Sequence, residues 1–300
     1  MNILIAGGSG FLGQALVRHW ANDDYHIDLL GRNEPILNWD YFKNNSQSIL
    51  PNYDLVINLC GANIGNHRWT TKQKINLFQS RIEPTTTLAN ACAALGEQAP
   101  RLFNAGGVGV YGIRHDQLNE LTHAVDEYTP LPAQADSFLQ KISFAWEYAM
   151  QPAIDAQVKV TQLRFAVVLD KQAGALAKMS QPYRYYLGGP IGNGRQAFAW
   201  ISLHDFCRTF DFLLAHPELQ GNINLVAPKC ISQNELAHAL AKALNKPCFF
   251  RTPAWLLKCI FGEMADELLL HGQHVIPTRL LNAGFEFQDP DIDSALKRMY

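Results

Sequence analysis

The sequence predicts an α/β fold, a doubly wound parallel sheet with a smaller C-terminal domain. Short β-rich runs alternate with longer amphipathic runs through the first half of the chain, the pattern of parallel strands joined by crossover helices. Two of those runs, ILIA at 3–6 and DLVINL at 54–59, are apolar with little alternation, as strands buried on both faces are. The first run breaks into a glycine-rich turn that leads straight into a helical pattern.

In order, strands are expected at 2–6, 26–30, 54–60, 101–105 and 160–169, and helices at 11–22, 71–95 and 137–151, each helix following a strand. After residue 170 the run YYLGGPIGNGRQAFAW at 185–200 reads as a loop or irregular hairpin. HDFCRTFDFLLAHPEL at 204–219 reads as a helix and NINLV at 222–226 as a strand. SQNELAHALAKALN at 232–245 reads as a helix opened by Ser232, with Glu235 three residues on in the spacing of a capping box. The chain therefore divides into a larger domain over 1–170, completed by the segment at about 204–228, and a smaller one from 171–203 and 229–300.

Three hundred residues with 48% hydrophobic content are ample for a substantial core. A net charge of −2 and a pI near 6.5 give no basic excess, which argues against nucleic acid or an anionic membrane as partner and for a small molecule. No positive leader precedes the first apolar run, and no apolar stretch reaches the roughly 18 residues that cross a bilayer, so a cytoplasmic protein is expected. The six cysteines are scattered without a C-x-x-C pair, which suggests free thiols rather than a metal cage.

Gly7, Gly10 and Gly13 follow a strand and open a helix, the context in which such a triplet becomes informative. One glycine permits a tight turn, one lets the backbone approach a pyrophosphate, and one lets helix and strand pack closely. The helix N-terminus adds N–H groups and a positive dipole. The pattern points to a Rossmann-type dinucleotide site, against the plainer reading of a Gly-rich turn. At the end of the second strand an acid would bond the ribose hydroxyls of NAD, and an arginine would take the 2′-phosphate of NADP. Here the strand ends LLGRN, with Gly31 and Arg32 at that place, Asp28 inside the strand, and Glu34 past the turn beside Pro35. Arg32 favours NADP(H), while Glu34 leaves NAD open.

With GGSGFLG at 7–13, DLVINLCGANIGNHRW at 54–69, SRIEPTTTL at 80–88, LGGPIGNGRQAFAWISLHDF at 187–206 and FGEMADELLLHGQHVIPTRLLNAGFEF at 261–287, nearly the whole chain resembles an atypical extended short-chain dehydrogenase/reductase. More narrowly, it resembles the nucleoside-diphosphate-sugar epimerase-like family, and its last segment looks like the small C-terminal extension of undefined function in that group. The resemblance implies bound NADP(H), with Gly7, Ser9, Gly10, Phe11, Leu12 and Gly13 around the pyrophosphate and Arg32 at the 2′-phosphate. It places Leu59, Cys60 and Gly61 on the adenine side and has Arg81 reach the cofactor. It also implies a reductase-like or epimerase-like protein acting on a small polar substrate such as a nucleotide sugar.

Hydride-transferring members of that superfamily use a tyrosine as acid and base, a lysine four residues later, and a nearby Ser or Thr. Four residues is about one helical turn, so ammonium and phenol share a face and the charge favours phenolate. None of the ten tyrosines here is followed by lysine at that spacing. Aligned through FAWEYA at 144–149, the two positions fall near Leu139 and Ser143, and the hydroxyl position falls at Gly107 in NAGGVGVYG. Tyr111, at the carboxyl end of an expected strand, is the weak catalytic candidate, with packing beneath the cofactor the plainer reading. Arg195 and Gln196 in the Gly-rich loop are substrate-side candidates: arginine there suits a phosphate or carboxylate, or braces the loop. Trp69 suits ligand stacking or packing, and His204 with Asp205 reads as a helix start. An enzyme of atypical mechanism and a non-catalytic NADP(H)-binding sensor both fit these residues.

Overall fold

The computed structural model describes residues 1–32, 37–113 and 123–300. Glu34 and Pro35, which bear on the choice between NAD and NADP, lie outside the described residues. The chain first alternates β1 (Asn2–Ala6), α1 (Phe11–His19), β2 (His26–Gly31), β3 (Leu37–Asn38), α2 (Trp39–Ile49), β4 (Leu55–Asn58), α3 (Thr71–Ala93), β5 (Arg101–Gly107) and α4 (Phe138–Tyr148). The strands Val160–Phe165 and Gly221–Leu225 complete a seven-stranded sheet. Its order is Gly221–Leu225, Val160–Phe165, β5, β4, β1, β2, β3, with every pair parallel.

Successive strand residues point to opposite faces, so β1 feeds two cores. Ile3 and Ile5 pack with Leu16 of α1, with Trp20 just after it, and with Phe206 and Phe210 of the helix Leu203–Ala215. Leu4 and Ala6 pack with Phe42 of α2 and with Leu88, Ala89 and Cys92 of α3. Helices thus cover both faces of a Rossmann-type sheet. The strand order reverses between β1 and β4, which opens a crevice above their carboxyl ends where ligands of such sheets bind.

A third core around Leu169, Trp200, Leu236, Leu240 and Leu296 holds a smaller C-terminal assembly. It includes the helices Gly174–Arg184, Gln233–Ala243 and Ile292–Met299, while Phe261 at the end of the helix Ala254–Phe261 packs in a separate cluster with Trp69, Leu77, Ile142 and Met264. The helix Gln233–Ala243 opens with the expected capping box between Ser232 and Glu235. Among the described residues no helix is long and apolar enough to cross a membrane, and no His/Cys/Asp/Glu group could hold a metal ion.

The segment expected as one strand over 160–169 is two. It breaks at Ala166, and Val167–Leu169 leaves the main sheet to pair with Trp200–Ser202. The residues on either side of the break, Phe165 to Leu169, are all apolar, so the sequence carries no mark of it. The expected strand over 54–60 ends at Asn58, which frees residues 59–61 for the crevice. The helices outside the expectations include α2, Gly174–Arg184, Ala254–Phe261 and Ile292–Met299. α2 has a polar middle, KNNSQS, and packs inward only through Trp39, Phe42 and Ile49, and Gly174–Arg184 starts on a glycine and contains Pro182.

Candidate functional site

The turn after β1 is held by close backbone approach. Gly7 has φ +79°, the left-handed region that glycine enters freely, and a Cβ there would stand 2.8 Å from the Leu59 carbonyl carbon. A Cβ on Gly13 would stand 2.5 Å from the Gly8 Cα, so α1 begins pressed against its own turn. The Gly10 N–H donates to the Gly7 carbonyl at 3.0 Å, and Gln14 Nε2 donates to the Gly8 carbonyl at 2.9 Å. Gly10 is the N-cap of α1 without a side-chain cap, and the first turn holds no acid. Its N–H groups and dipole are therefore left facing outward, a ready anion site. Ser9 is exposed in the turn, and Phe11 and Leu12 are half-buried at the helix start.

Arg32 stands exposed just past β2, near enough for its charge to act on Cys60. Burial pushes the Cys60 thiol up to about 12, against the pull of that cation. The Cys60 N–H donates to Asn58 Oδ1 at 3.1 Å, which fixes the exit of β4. Arg81 reaches this exit from α3: a Cβ on Gly61 would lie 3.2 Å from the guanidinium carbon. The Arg81 side chain is buried, donates to the carbonyls of Leu77 at 3.0 Å and Ala62 at 3.1 Å, and lies over the Trp146 ring. Desolvation draws its pKa down to about 10, and no carboxylate among the described residues pairs with it. A buried cation without a counter-ion is costly, and an anion beside Gly61 would relieve that cost.

Under the end of β5 lies a buried row of amides that the sequence reading missed. Asn58 donates to Asn104 Oδ1 at 2.7 Å and to Thr85 Oγ1 at 2.8 Å. Asn104 donates to Gln162 Oε1 at 3.0 Å, and Trp146 Nε1 donates to Thr85 at 3.0 Å. The signal was present as polar residues inside apolar strands, and Asn58, Asn104 and Gln162 do stand side by side in register. This network ties α3 and α4 to the sheet beneath the crevice.

Above it, Leu139 and Ser143 face the carboxyl end of β5 together. A Cβ on Gly109 would lie 3.2 Å from Ser143 Oγ and 3.4 Å from Leu139 Cβ. At Gly107 the backbone is extended, and a Cβ would meet nothing nearer than Ser143 Oγ at 3.8 Å. Ser143 is buried, yet no side-chain hydrogen bond among the described residues engages its hydroxyl. Glu267 covers the start of α4, accepting from the N–H groups of Phe138 at 3.0 Å and Leu139 at 2.8 Å. Gln273 Nε2 donates to the Gly112 carbonyl at 3.0 Å, so the segment 267–273 closes over this end of the sheet.

The Tyr111 hydroxyl is engaged within the fold. It donates to Asn224 Oδ1 at 2.8 Å and accepts from Arg164 Nη1 at 2.9 Å. Arg164 in turn holds Glu147 through two bonds, at 2.8 and 3.0 Å. Burial pushes the Tyr111 pKa up, although Arg164 and the two hydrogen bonds act to lower it. Trp69 is packed, donating to the Ile64 carbonyl at 2.9 Å and meeting the Phe138 ring edge-on. His204 and Asp205 do not form a pair. His204 bonds Gln288, while buried Asp205 accepts from the N–H groups of Gln288 at 3.1 Å and Asp289 at 2.7 Å and so anchors the C-terminal segment.

Arg195 and Gln196 part company. Arg195 is exposed, with its N–H on Asn193 Oδ1 at 2.8 Å. Gln196 is buried and donates to the carbonyls of Ile191 at 3.2 Å and Leu269 at 2.8 Å, which links the Gly-rich loop to the segment over α4. Its Oε1 has no partner among the described residues.

The sequence profile of the NAD dependent epimerase/dehydratase family matches residues 3–226, and that of a domain of unknown function, DUF1731, matches residues 252–299. An epimerase family protein of Mycobacterium leprae is 36% identical over 299 residues, covering 98% of this chain and 94% of its own. The crystal structure of the human epimerase family protein SDR39U1 with NADPH superimposes with a TM-score of 0.89 at 31% identity, covering 100% of this chain and 99% of that one. A nucleoside-diphosphate sugar epimerase of Corynebacterium glutamicum gives a TM-score of 0.78 at 25% identity, covering 100% of this chain and 58% of that one. The chain belongs to the NAD-dependent epimerase/dehydratase family of NAD(P)-binding proteins, with a DUF1731 domain at its C-terminus.

Proposed function

We propose that this protein binds NADP(H) along the carboxyl edge of its sheet and acts as an atypical reductase-like or epimerase-like enzyme of the cytoplasm. Its substrate is a small polar molecule of the nucleotide-sugar class, held between the domain of residues 1–170 with 204–228 and the domain of 171–203 with 229–300. The observation that carries this reading is the acid-free, uncapped start of α1, flanked by Arg32 on one side and by buried, counter-ion-free Arg81 on the other. Phosphates suit all three. The human relative solved with NADPH and the nucleoside-diphosphate sugar epimerase from Corynebacterium support the cofactor and the substrate class respectively.

In this reading Gly7, Ser9, Gly10, Phe11, Leu12 and Gly13 hold the pyrophosphate. Arg32 takes the 2′-phosphate, Leu59, Cys60 and Gly61 line the adenine side, and Arg81 neutralises the dinucleotide from below. The bound cofactor supplies a hydride donor or acceptor. Leu139 and Gly107 give the reacting centre no acid or base, and the Ser143 hydroxyl orients a polar group without ionising. Protons then pass between substrate and water. The 10²- to 10⁴-fold contribution that a positioned acid or base makes elsewhere is absent, so turnover is slow. Arg195 reaches the substrate from the Gly-rich loop, which Gln196 braces.

A second reading, a non-catalytic sensor of cofactor state, is favoured by the same Leu139 and Gly107. Fluorescence titration separates the possibilities at the cofactor: NADPH binds more tightly than NADH, and Arg32→Ala narrows the gap. Equal affinities in the wild type would remove Arg32 from the 2′-phosphate. A screen of nucleotide sugars and small carbonyl compounds that yields no turnover despite tight NADPH binding would leave the sensor.

A further inference from the structure

We propose that a surface patch built from residues 184–187, 246–251 and the helix Ala254–Phe261 seats the protein on an anionic lipid bilayer. That helix reads AWLLKCIF and is apolar on two sides. Leu257 is buried against the protein, whereas Trp255 is 67% exposed and Leu256, Cys259 and Ile260 are also exposed. Trp255 with Cys259, and Leu256 with Ile260, are each one turn apart and so form a single outward face. An apolar face normally turns inward, so a helix apolar on both sides calls for a second covering.

The face continues beyond the helix. Phe249 and Phe250, just ahead of it, are 73% and 50% exposed. The Phe250 N–H donates to the Gly188 carbonyl at 3.3 Å and the Thr252 N–H to the Pro190 carbonyl at 2.9 Å. These bonds lay the segment alongside residues 188–190 and bring up Tyr185, Tyr186 and Leu187, exposed by 75%, 58% and 51%. Singly exposed apolar residues are ordinary, but a contiguous set marks an interaction surface.

Charge chooses the partner. From Lys246 to Gly262 the sequence has Lys246, Arg251 and Lys258 and no acid, and Arg184 precedes Tyr185. Lys246 Nζ lies 4.1 Å from the centre of the Tyr186 ring, so cation and aromatic share one surface. Of the acids just beyond the helix, Glu263 is paired with Lys74 and Asp266 with Lys258, which leaves Arg184, Lys246 and Arg251 as the positive charges of the patch. A second copy of the chain would oppose like charges across the patch. Trp, Tyr and Phe interleaved with Lys and Arg are instead the composition that settles at the headgroup level of an anionic leaflet. The whole-chain charge of −2 averages this local excess away.

The test uses the full-length protein and sedimentation with two kinds of vesicle, pure phosphatidylcholine and phosphatidylcholine mixed with phosphatidylglycerol. The protein is expected to pellet with the mixed vesicles and not with the neutral ones, and to be released as salt screens the charges. Phe249→Ser with Trp255→Ser, and separately Arg184→Glu with Lys246→Glu, should each weaken that binding at least tenfold while thermal midpoint and NADPH affinity stay unchanged. Wild-type protein that ignores the mixed vesicles, or variants that bind them equally well, would overturn the proposal. So would a dimer in light scattering that the Phe249/Trp255 pair abolishes, since the patch would then join two copies.

Discussion

The Arg81 guanidinium lies against Gly61, where a Cβ would stand 3.2 Å from its central carbon, and its bonds within the protein go to two backbone carbonyls. Replacing this cation with an apolar side chain of similar length separates its two possible roles. A buried charge that serves stability alone has no ligand to lose. Arg81→Met should leave the thermal midpoint unchanged or raised, because a desolvated charge is removed. NADPH affinity should fall roughly 10- to 100-fold, the range of a lost charge-assisted hydrogen bond of about 1.5–3 kcal/mol. Calorimetric titration and melting of the same sample check both halves.

Tyr111→Phe removes an oxygen that satisfies both Arg164 and Asn224. Two buried polar groups lose a partner, so unfolding in denaturant should show a loss of about 1–3 kcal/mol. Cofactor affinity and turnover per folded molecule should stay within a few-fold. A rate loss of about 10²-fold or more with little loss of stability would instead mark the phenol as an acid or base.

Gly7 and Gly107 look alike in sequence and should respond oppositely. Gly7→Ala meets both a positive φ and a carbonyl 2.8 Å away, so it should destabilise the fold by about 1–3 kcal/mol and abolish NADPH binding. Gly107→Ser meets neither: the backbone is extended and the nearest neighbour is 3.8 Å away. It should fold within about 0.5 kcal/mol of wild type, with any change confined to substrate or cofactor. Parallel denaturation and titration of the two variants settle the contrast.

What the sequence revealed and what it hid follow from the physics of each segment. β1 and β4 were legible because strands buried on both faces are uniformly apolar, and the glycine triplet because a tight turn onto a helix tolerates little else. Ser232 and Glu235 were legible because capping is local. The break at Ala166 was hidden because apolar residues continue on both sides of it. α2 was hidden because it buries little. Asp205 clamping the backbone of residues 288–289, Glu267 covering the start of α4 and the amide row through Asn104 are contacts between distant segments, which no local spacing encodes. Leu139 and Ser143 were placed by alignment, but only the packing of α4 brings them against Gly109.

The buried thiols give the fold an alkaline limit. Desolvation pushes Cys92 and Cys207 from an ordinary 9.0 to about 12, in Cys207 with Asp211 adding to the rise. Above pH 9 the unfolded chain releases these protons while the native chain keeps them. The native state then binds more protons, so stability is fully present below pH 9 and declines as pH rises toward 12. Each unit of difference corresponds to about 1.4 kcal/mol per group, before other alkaline titrations are counted. Denaturant midpoints measured across that window should fall, and Cys92→Ala should flatten the slope although its cavity lowers stability at neutral pH. A thiol reagent at neutral pH should modify exposed Cys259 ahead of Cys92 and Cys207, which become reactive only as the protein unfolds. A slope unaffected by the Cys92 substitution would assign the alkaline loss to other groups, with buried Tyr111, whose pKa burial also raises, the next to replace.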